Sequence, residues 1–366
     1  MKKLLFINNY SGDSEHLPKH HLWGLDALKN AFDVKVFIFR YSPILFRTLL
    51  TQFRVLLRSL FVDVVYAACG VATDGLALCK KLKLCRPKIF RVVHHPFKIR
   101  FIESYDGLIF ISQEVMNIAI QRYPHMKNKM HYVFWGPDLD FYDNEIKRTS
   151  KNHLRHAELV SASPAYNALN TEIAGQARND GVVENNISQN KEVSTYFFIS
   201  NGKTRRDYDC FFEAMQGLDA KALVICDKDS VPKQKNQNID VISSEQSYVN
   251  AISDKDSVRE YLNAEVVVIP VKTPDARLIG LTSLVDALAM GMPAIMSDNT
   301  MTGIDIEQEQ IGLLYKAGNS NDLRKQMQKM LNSPLWIKEM SQNARAFAEK
   351  NDYKMFKNSV VQIIKK

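Results

Sequence analysis

No apolar run in this sequence of 366 residues approaches the roughly 18 needed to cross a bilayer as a helix, so no spanning segment is expected. Cysteine is scarce as well. The five present (Cys69, Cys79, Cys85, Cys210, Cys226) are odd in number and sit in apolar or helical settings. None has the Cys/His spacing of a metal site, which argues against a disulfide framework and for a reducing cytoplasm. The opening MKKLLFINNY lacks the long apolar core of a secretory leader: Asn8 and Asn9 stop it after residues 4–7, and it reads as a first strand. A net charge of +8 without interleaved aromatic and basic residues makes nucleic acid an unexpected partner.

What is present is strand–helix alternation, twice over. The length suits two domains. Through residue 137, short apolar runs (LLFIN, VKVFIF, VVYAA, IFRVV, GLIFIS, HYVFW) alternate with helical patterns, which implies βαβ units and a parallel sheet. From Ser194 the alternation resumes with STYFFIS, KALVIC, NIDVISS, AEVVVIPV and AIMSD, and the chain ends in helical patterns. These patterns divide the chain into a first α/β domain at 1–142, a flexible linker at 143–192, a second α/β domain at 193–345 and a C-terminal helix at 346–366, which is expected to return to the first domain.

Charge is uneven. Residues 1–145 hold 20 Lys and Arg against 13 Asp and Glu, while 146–366 hold 28 against 27. A basic first half suits an anionic surface or acceptor, although solubility alone accommodates so small an excess. Residues 43–61, PILFRTLLTQFRVLLRSLF, form a basic amphipathic helix with Arg47, Arg54 and Arg58 on one face. Such a helix suits peripheral contact with an anionic membrane, or simply packing with a solvated arginine stripe.

Two turns carry the candidate chemistry. In the first, Ser200-Asn201-Gly202-Lys203-Thr204-Arg205-Arg206-Asp207 follows a strand and precedes a helix, with Gly202 allowing close backbone approach and three cations beside it. In the second, Gly280 precedes Leu281, Thr282 and Ser283, whose amides open a helix with no intrahelical acceptor, and Asp286 stands one turn in. Helix starts at strand ends bind phosphate, cations there stabilise a departing diphosphate, and a carboxylate nearby reaches ribose hydroxyls. His95, with His94, ends a strand expected to face the cleft, and His21 follows the first strand. Neutral histidines can exchange protons or bond sugar hydroxyls, but lone histidines are more often structural. His95 is kept as a catalytic candidate with Lys203 and Arg206. No metal-ligand pattern is found, and Asp138-Leu139-Asp140 reads as turn and cap chemistry.

SNGKTRRDYDCFFEAM and GLTSLVDALAMGMPAIMSDN resemble the C-terminal half of GT-B glycosyltransferases of the group 1, GT4-like retaining kind. The resemblance implies an α/β GT-B architecture: two Rossmann-like doubly wound domains facing across a cleft. By position it makes Lys203 and Arg206 the contacts to the donor diphosphate. Gly202, Arg205, Gly280, Leu281, Thr282 and Ser283 join them in donor binding, and Asp286 holds the ribose in place of the family's Glu. A first Glu, eight residues earlier, is absent because Leu278 stands there; Asp275 or Arg277 are its nearest substitutes. HLPKHHLWGL resembles the acceptor-side loop and helix, with Gly12 present, the usual Gly-Gly pair missing, and His21 beyond it. The resemblance implies no cofactor and no metal. It implies a nucleotide-sugar donor (UDP- or GDP-linked), a glycan or lipid-linked acceptor, and a role in cell-envelope polysaccharide synthesis at the inner face of a membrane. The rival expectations are a catalytically inactive sugar-nucleotide-binding scaffold and a GT-B sugar-nucleotide epimerase. Within the linker, RHAELVSAS and GQARNDG resemble translated bacterial palindromic repeats, so 155–181 reads as an insertion.

Overall fold

A computed structural model describes residues 1–9, 17–39, 45–150, 196–203, 205–245, 250–272 and 277–366. Two six-stranded parallel sheets organise it. The first contains β1 (Lys3–Asn8), β2 (Asp33–Ile38), β3 (Val64–Ala67), β4 (Lys88–Val93), β5 (Gly107–Phe110) and β6 (Met130–Tyr132), in the order β2-β1-β3-β4-β5-β6. The second contains β7 (Phe198–Asn201), β8 (Ala222–Cys226), β9 (Ile239–Ser243), β10 (Val266–Ile269), β11 (Ala294–Ser297) and β12 (Gly312–Tyr315), in the order β12-β11-β10-β7-β8-β9. The inner strands are buried on both faces, which explains their unbroken apolar runs rather than alternation: β3, β5, β10 and β11 have no exposed residue.

Each sheet reverses its winding once, between β1 and β3 in the first and between β7 and β10 in the second. In an open parallel sheet the crevice at such a reversal, beyond the strands' carboxyl ends, is where ligands bind. The two candidate turns follow β7 and β10, so the topology sets them side by side.

The first domain's helices are α1 (Leu25–Ala31), α2 (Leu45–Ser59), α3 (Asp74–Lys81) and α4 (Gln113–Arg122). Next comes α5 (Leu139–Ser150), whose Tyr142 and Ile146 are buried in the second domain's core. The domain boundary expected at 142 therefore falls inside a helix. Asp143 pairs with Arg345 at 2.8 Å, and Arg345 also donates to the carbonyl of Ala289 at 2.9 Å, fastening α5 to that domain. The palindromic-repeat reading of 155–181 lies outside the described residues.

The second domain continues with α6 (Tyr208–Ala214), α7 (Asp254–Leu262), α8 (Leu281–Ala289), α9 (Ser320–Leu331) and α10 (Pro334–Lys350). Then α11 (Tyr353–Lys365) crosses back and buries Tyr353, Phe356, Val360 and Ile364 in the first domain's core. The Tyr353 hydroxyl donates to Asp26 Oδ1 (2.6 Å) and accepts from the Gly24 amide (3.0 Å). Lys357 pairs with the same carboxylate at 2.9 Å.

Candidate donor site in the interdomain cleft

A cavity of about 460 Å³ opens between the two sheets' carboxyl ends. Its second-domain wall begins at the end of β7. Tyr208 on α6 holds the turn from beneath, donating its hydroxyl to the Gly202 carbonyl at 2.6 Å. Arg206 is buried, and its backbone bridges to Val271 just past β10. Its guanidinium donates to Ser283 Oγ at 2.8 Å, and Ser283 Oγ donates to the Asn201 carbonyl at 2.7 Å. A cation thus sits at the first turn of α8, where the helix already presents free amides and the positive end of its dipole. Such a concentration of positive potential binds anions. Burial disfavours the charge on Arg206, which an anionic ligand would offset.

Two glycines make this approach possible. Gly202 lies so close to Arg206 that a Cβ there would meet Nε at 2.5 Å. Gly280 precedes α8 with φ +88, and a Cβ would come within 2.9 Å of Ile269 and 3.0 Å of Met296. Helix α8 starts where it does because no other residue takes that conformation in that space.

Lys203 and Asp286 also line the cavity. Lys203 Nζ donates to Asn250 Oδ1 at 2.6 Å; burial lowers its pKa, while Asp254 and Asp227 oppose the shift. Asp286 Oδ1 accepts the Tyr142 hydroxyl at 2.5 Å. Burial raises the Asp286 carboxyl to about 7 against the pull of that bond, and Asp254 adds to the rise. Burial likewise raises Asp254, with Lys203 opposing. Among the described residues, the cavity therefore holds two carboxyls, Asp254 and Asp286, within electrostatic reach of each other.

The sign of the Asp286 shift yields a prediction. Between about pH 4 and 7 the unfolded chain has released this proton and the folded chain retains it, so this group's contribution to stability falls as pH rises. Asp286→Asn keeps an acceptor for Tyr142 and removes that fall. Its melting temperature should match the parent's near pH 4 and exceed it at pH 8. Equal destabilisation at both values would mean that the carboxylate is ionised and stabilising.

The first domain's wall is of another kind. His21 lies in a short 3₁₀ turn (Lys19–Leu22), His94 and His95 follow β4, and Trp23, Ile111 and Trp135 complete it. Trp23 stacks on Trp135 at 5.1 Å, and His94 meets Trp23 edge-on at 4.8 Å. Burial pushes His21 and His94 to about 4, so both are neutral at pH 7. Among the described residues, this wall contains no Lys, Arg, Asp or Glu. The basic excess of the first half is placed elsewhere.

The cavity thus gathers His21, His95, Gly202, Lys203, Arg206, Gly280, Leu281, Thr282, Ser283 and Asp286. Arg205 is not part of the lining; it is exposed at φ +50, with its carbonyl bonded to the Lys272 amide. Gly12 and Asp275 lie outside the described residues. Leu278 and Arg277 both line the cavity, Arg277 with its guanidinium 5.7 Å from the Phe97 ring across the cleft. Asp138 accepts the Lys19 amide at 2.7 Å, a bond across the fold rather than within a local turn. Asp254, Asn250, Tyr142 and Trp23 join the site without having been singled out from the sequence. Among the described residues, no group of three or more His, Cys, Asp or Glu could hold a metal ion.

Residues 183–350 match the family model for glycosyl transferases group 1. No curated protein matches the chain in sequence at a significant level. In structure, a glycosyltransferase from Rickettsia africae ESF-5 matches with a TM-score of 0.66 at 12% identity, over 100% of this chain and 98% of that one. The protein has the GT-B fold. Anabaena Alr3699/HepE, solved with UDP-glucose, matches this GT-B chain with a TM-score of 0.62 at 13% identity, over 100% of both. A putative UDP-N-acetylglucosamine 2-epimerase from Listeria monocytogenes matches with a TM-score of 0.58 at 10% identity, over 99% of this chain and 95% of that one. At these identities the likeness is one of fold.

Proposed function

We propose that this GT-B protein is a retaining, metal-independent glycosyltransferase of the GT4-like kind. It moves a sugar from a nucleoside diphosphate to a glycan or lipid-linked acceptor at the cytoplasmic face of a membrane, in the synthesis of cell-envelope polysaccharide. The observation that carries the reading is Arg206, buried and held on Ser283 in the first turn of α8 at the sheet's reversal point.

In this reading the diphosphate lies between the Gly202 turn and the amides of Leu281, Thr282 and Ser283. The bond from the sugar's anomeric carbon to the diphosphate breaks, and the acceptor's hydroxyl oxygen takes its place. The acceptor proton passes to the departing phosphate oxygen. Arg206 and Lys203 neutralise the charge that grows on the diphosphate. Asp286 accepts from ribose, while His95 touches the transferred sugar and His21 faces the acceptor. Domain closure excludes water, which otherwise hydrolyses the donor. UDP- and GDP-sugars are the donor classes, and the repeat-like 155–181 is an insertion without a catalytic part.

A thermal-shift screen over UDP-, GDP-, ADP- and CMP-sugars tests the donor site. Ligand at a hundred times its dissociation constant stabilises by about 2.7 kcal/mol, and one class should raise the melting temperature by several degrees. No shift with any class would remove the donor assignment. Leu278, apolar where the family carries an acid, favours a second reading: a sugar-nucleotide-binding protein without transferase activity. Binding with no transfer to any glycan acceptor supports it, and interconversion of the bound sugar would point to an epimerase.

A further inference from the structure

Helix α2 is turned the wrong way for a helix on a water-facing surface. Thr48, Gln52, Val55 and Ser59, at helical spacing, form its inward face: Val55 and Ser59 are 0% and 1% exposed, the other two partly buried. Gln52 packs on α3, where a Cβ on Gly75 would meet its Oε1 at 3.0 Å. On the opposite face, Phe46, Leu49, Phe53, Leu57 and Leu60 recur as one stripe and are 72%, 54%, 55%, 45% and 57% exposed. An amphipathic surface helix normally buries its apolar stripe and wets its polar one. Here Val55 and Leu56 meet the core beside small and polar side chains, while the larger share of the helix's leucine and phenylalanine meets solvent.

Arg47, Arg54 and Arg58 form a third stripe beside the apolar one, all exposed. Arg58 folds back, its guanidinium 4.7 Å over the Phe37 ring. Residues 43–61 contain no Asp or Glu. A contiguous exposed apolar face marks an interaction surface. Its edging by cations alone identifies the partner's charge. A helix lying in the plane of an anionic bilayer has this cross-section, with apolar side chains in the acyl boundary and cations at the headgroups. The helix could not span: among the described residues none is long and apolar enough.

We propose that α2 seats the protein on an anionic lipid surface. The stripe from Phe46 to Leu60 enters the headgroup–acyl boundary, and Arg47 and Arg54 contact lipid phosphates. The neighbouring α3 adds the exposed Leu78, followed by exposed Leu82 and Leu84 and by Lys83, which widens the seat. This surface carries three of the first half's arginines away from the cleft, whose described first-domain wall has no Lys, Arg, Asp or Glu. The inference rests on the transferase reading only where that reading places the acceptor at a membrane; the docking itself needs no activity in the cleft.

Co-sedimentation with vesicles tests it, comparing phosphatidylcholine alone with phosphatidylcholine–phosphatidylglycerol mixtures at low salt. The parent protein should sediment with the mixed vesicles. Phe53→Glu/Leu57→Glu should abolish that binding. Arg47→Gln/Arg54→Gln should weaken it roughly thirtyfold, two arginines at about 1 kcal/mol each. Both variants should keep the parent's circular dichroism and its thermal response to UDP or GDP, which separates failure of the seat from failure of the donor site. No sedimentation of the parent with mixed vesicles would overturn the proposal. So would equal binding to both vesicle types, or a dimer by light scattering that Phe53→Glu/Leu57→Glu dissolves, since the stripe would then belong to a second copy of the chain.

Discussion

Arg206→Ala is expected to abolish sugar transfer while leaving the fold in place. The guanidinium ties the β7 turn to the first turn of α8 through Ser283. Ser283 retains its bond to the Asn201 carbonyl without it, so the two turns stay registered. The stability change is expected to be small, because losing a hydrogen bond is offset by no longer burying a charge. Catalysis has no such compensation. As the diphosphate departs its charge grows, and a fixed buried cation stabilises that change more than it stabilises bound donor. Removing one such group typically costs about 10²–10³ in kcat. Under the transferase reading kcat falls by at least that factor at saturating donor, whereas KM rises far less. Arg206→Lys should recover only part of the loss, since an ammonium cannot bond Ser283 and a phosphate in one plane. Near-parental kcat in Arg206→Ala would mean that the leaving group is not there.

Gly136→Ala is expected to produce the largest loss of stability for the smallest change of composition. Gly136 sits where the chain leaves β6 toward α5, and the segment between α10 and α11 passes directly over it. An added Cβ would lie 1.7 Å from the Asn351 carbonyl oxygen and 2.9 Å from the Asp352 backbone carbon. Those are backbone atoms, and they cannot swing aside as a side chain would. The adjacent Pro137 carbonyl accepts the Tyr353 amide at 2.8 Å, and Tyr353 begins the helix that completes the first domain's core. Relieving the clash therefore means lifting the start of α11. We expect about 3 kcal/mol of destabilisation, the upper end of overpacking, read as a lower urea midpoint. An unchanged midpoint would show that the crossing segment yields freely and that α11 is not rigidly docked.

The strands were legible in the sequence because parallel strands buried on both faces are written as unbroken apolar runs. VVVI in β10 and AIMS in β11 have no other reading beside their flanking turns. The two turns around Gly202 and Gly280 were legible for the same local reason, since each is a loop with a glycine between a strand and a helix start. What joins them was not. Asp254 follows Ser253, which caps α7 by accepting the Asp256 amide, and as a sequence SDKD looks like capping and nothing more. Tyr142 reads as the end of the first domain, and only the packing of α5 in the second domain's core, against α7, brings its hydroxyl to Asp286. His20 is another case. It is fully buried, accepting the Asp138 amide at 3.1 Å and stacked near Tyr142, yet nothing in KHHLW separates it from His21. For α2, the periodicity revealed an apolar stripe and an arginine stripe but could not say which faced the core. That depended on the small and polar face fitting against α3, a tertiary fact.

The central claim is that a nucleoside diphosphate lies across the β7 and α8 turns. A crystal structure of the protein soaked with UDP or GDP tests it most directly. The account expects a phosphate within hydrogen-bonding reach of the Thr282 or Ser283 amide and of Arg206, with a ribose hydroxyl on Asp286. A diphosphate bound elsewhere in the cleft, or a nucleotide lying with its ribose turned away from Asp286, would contradict it.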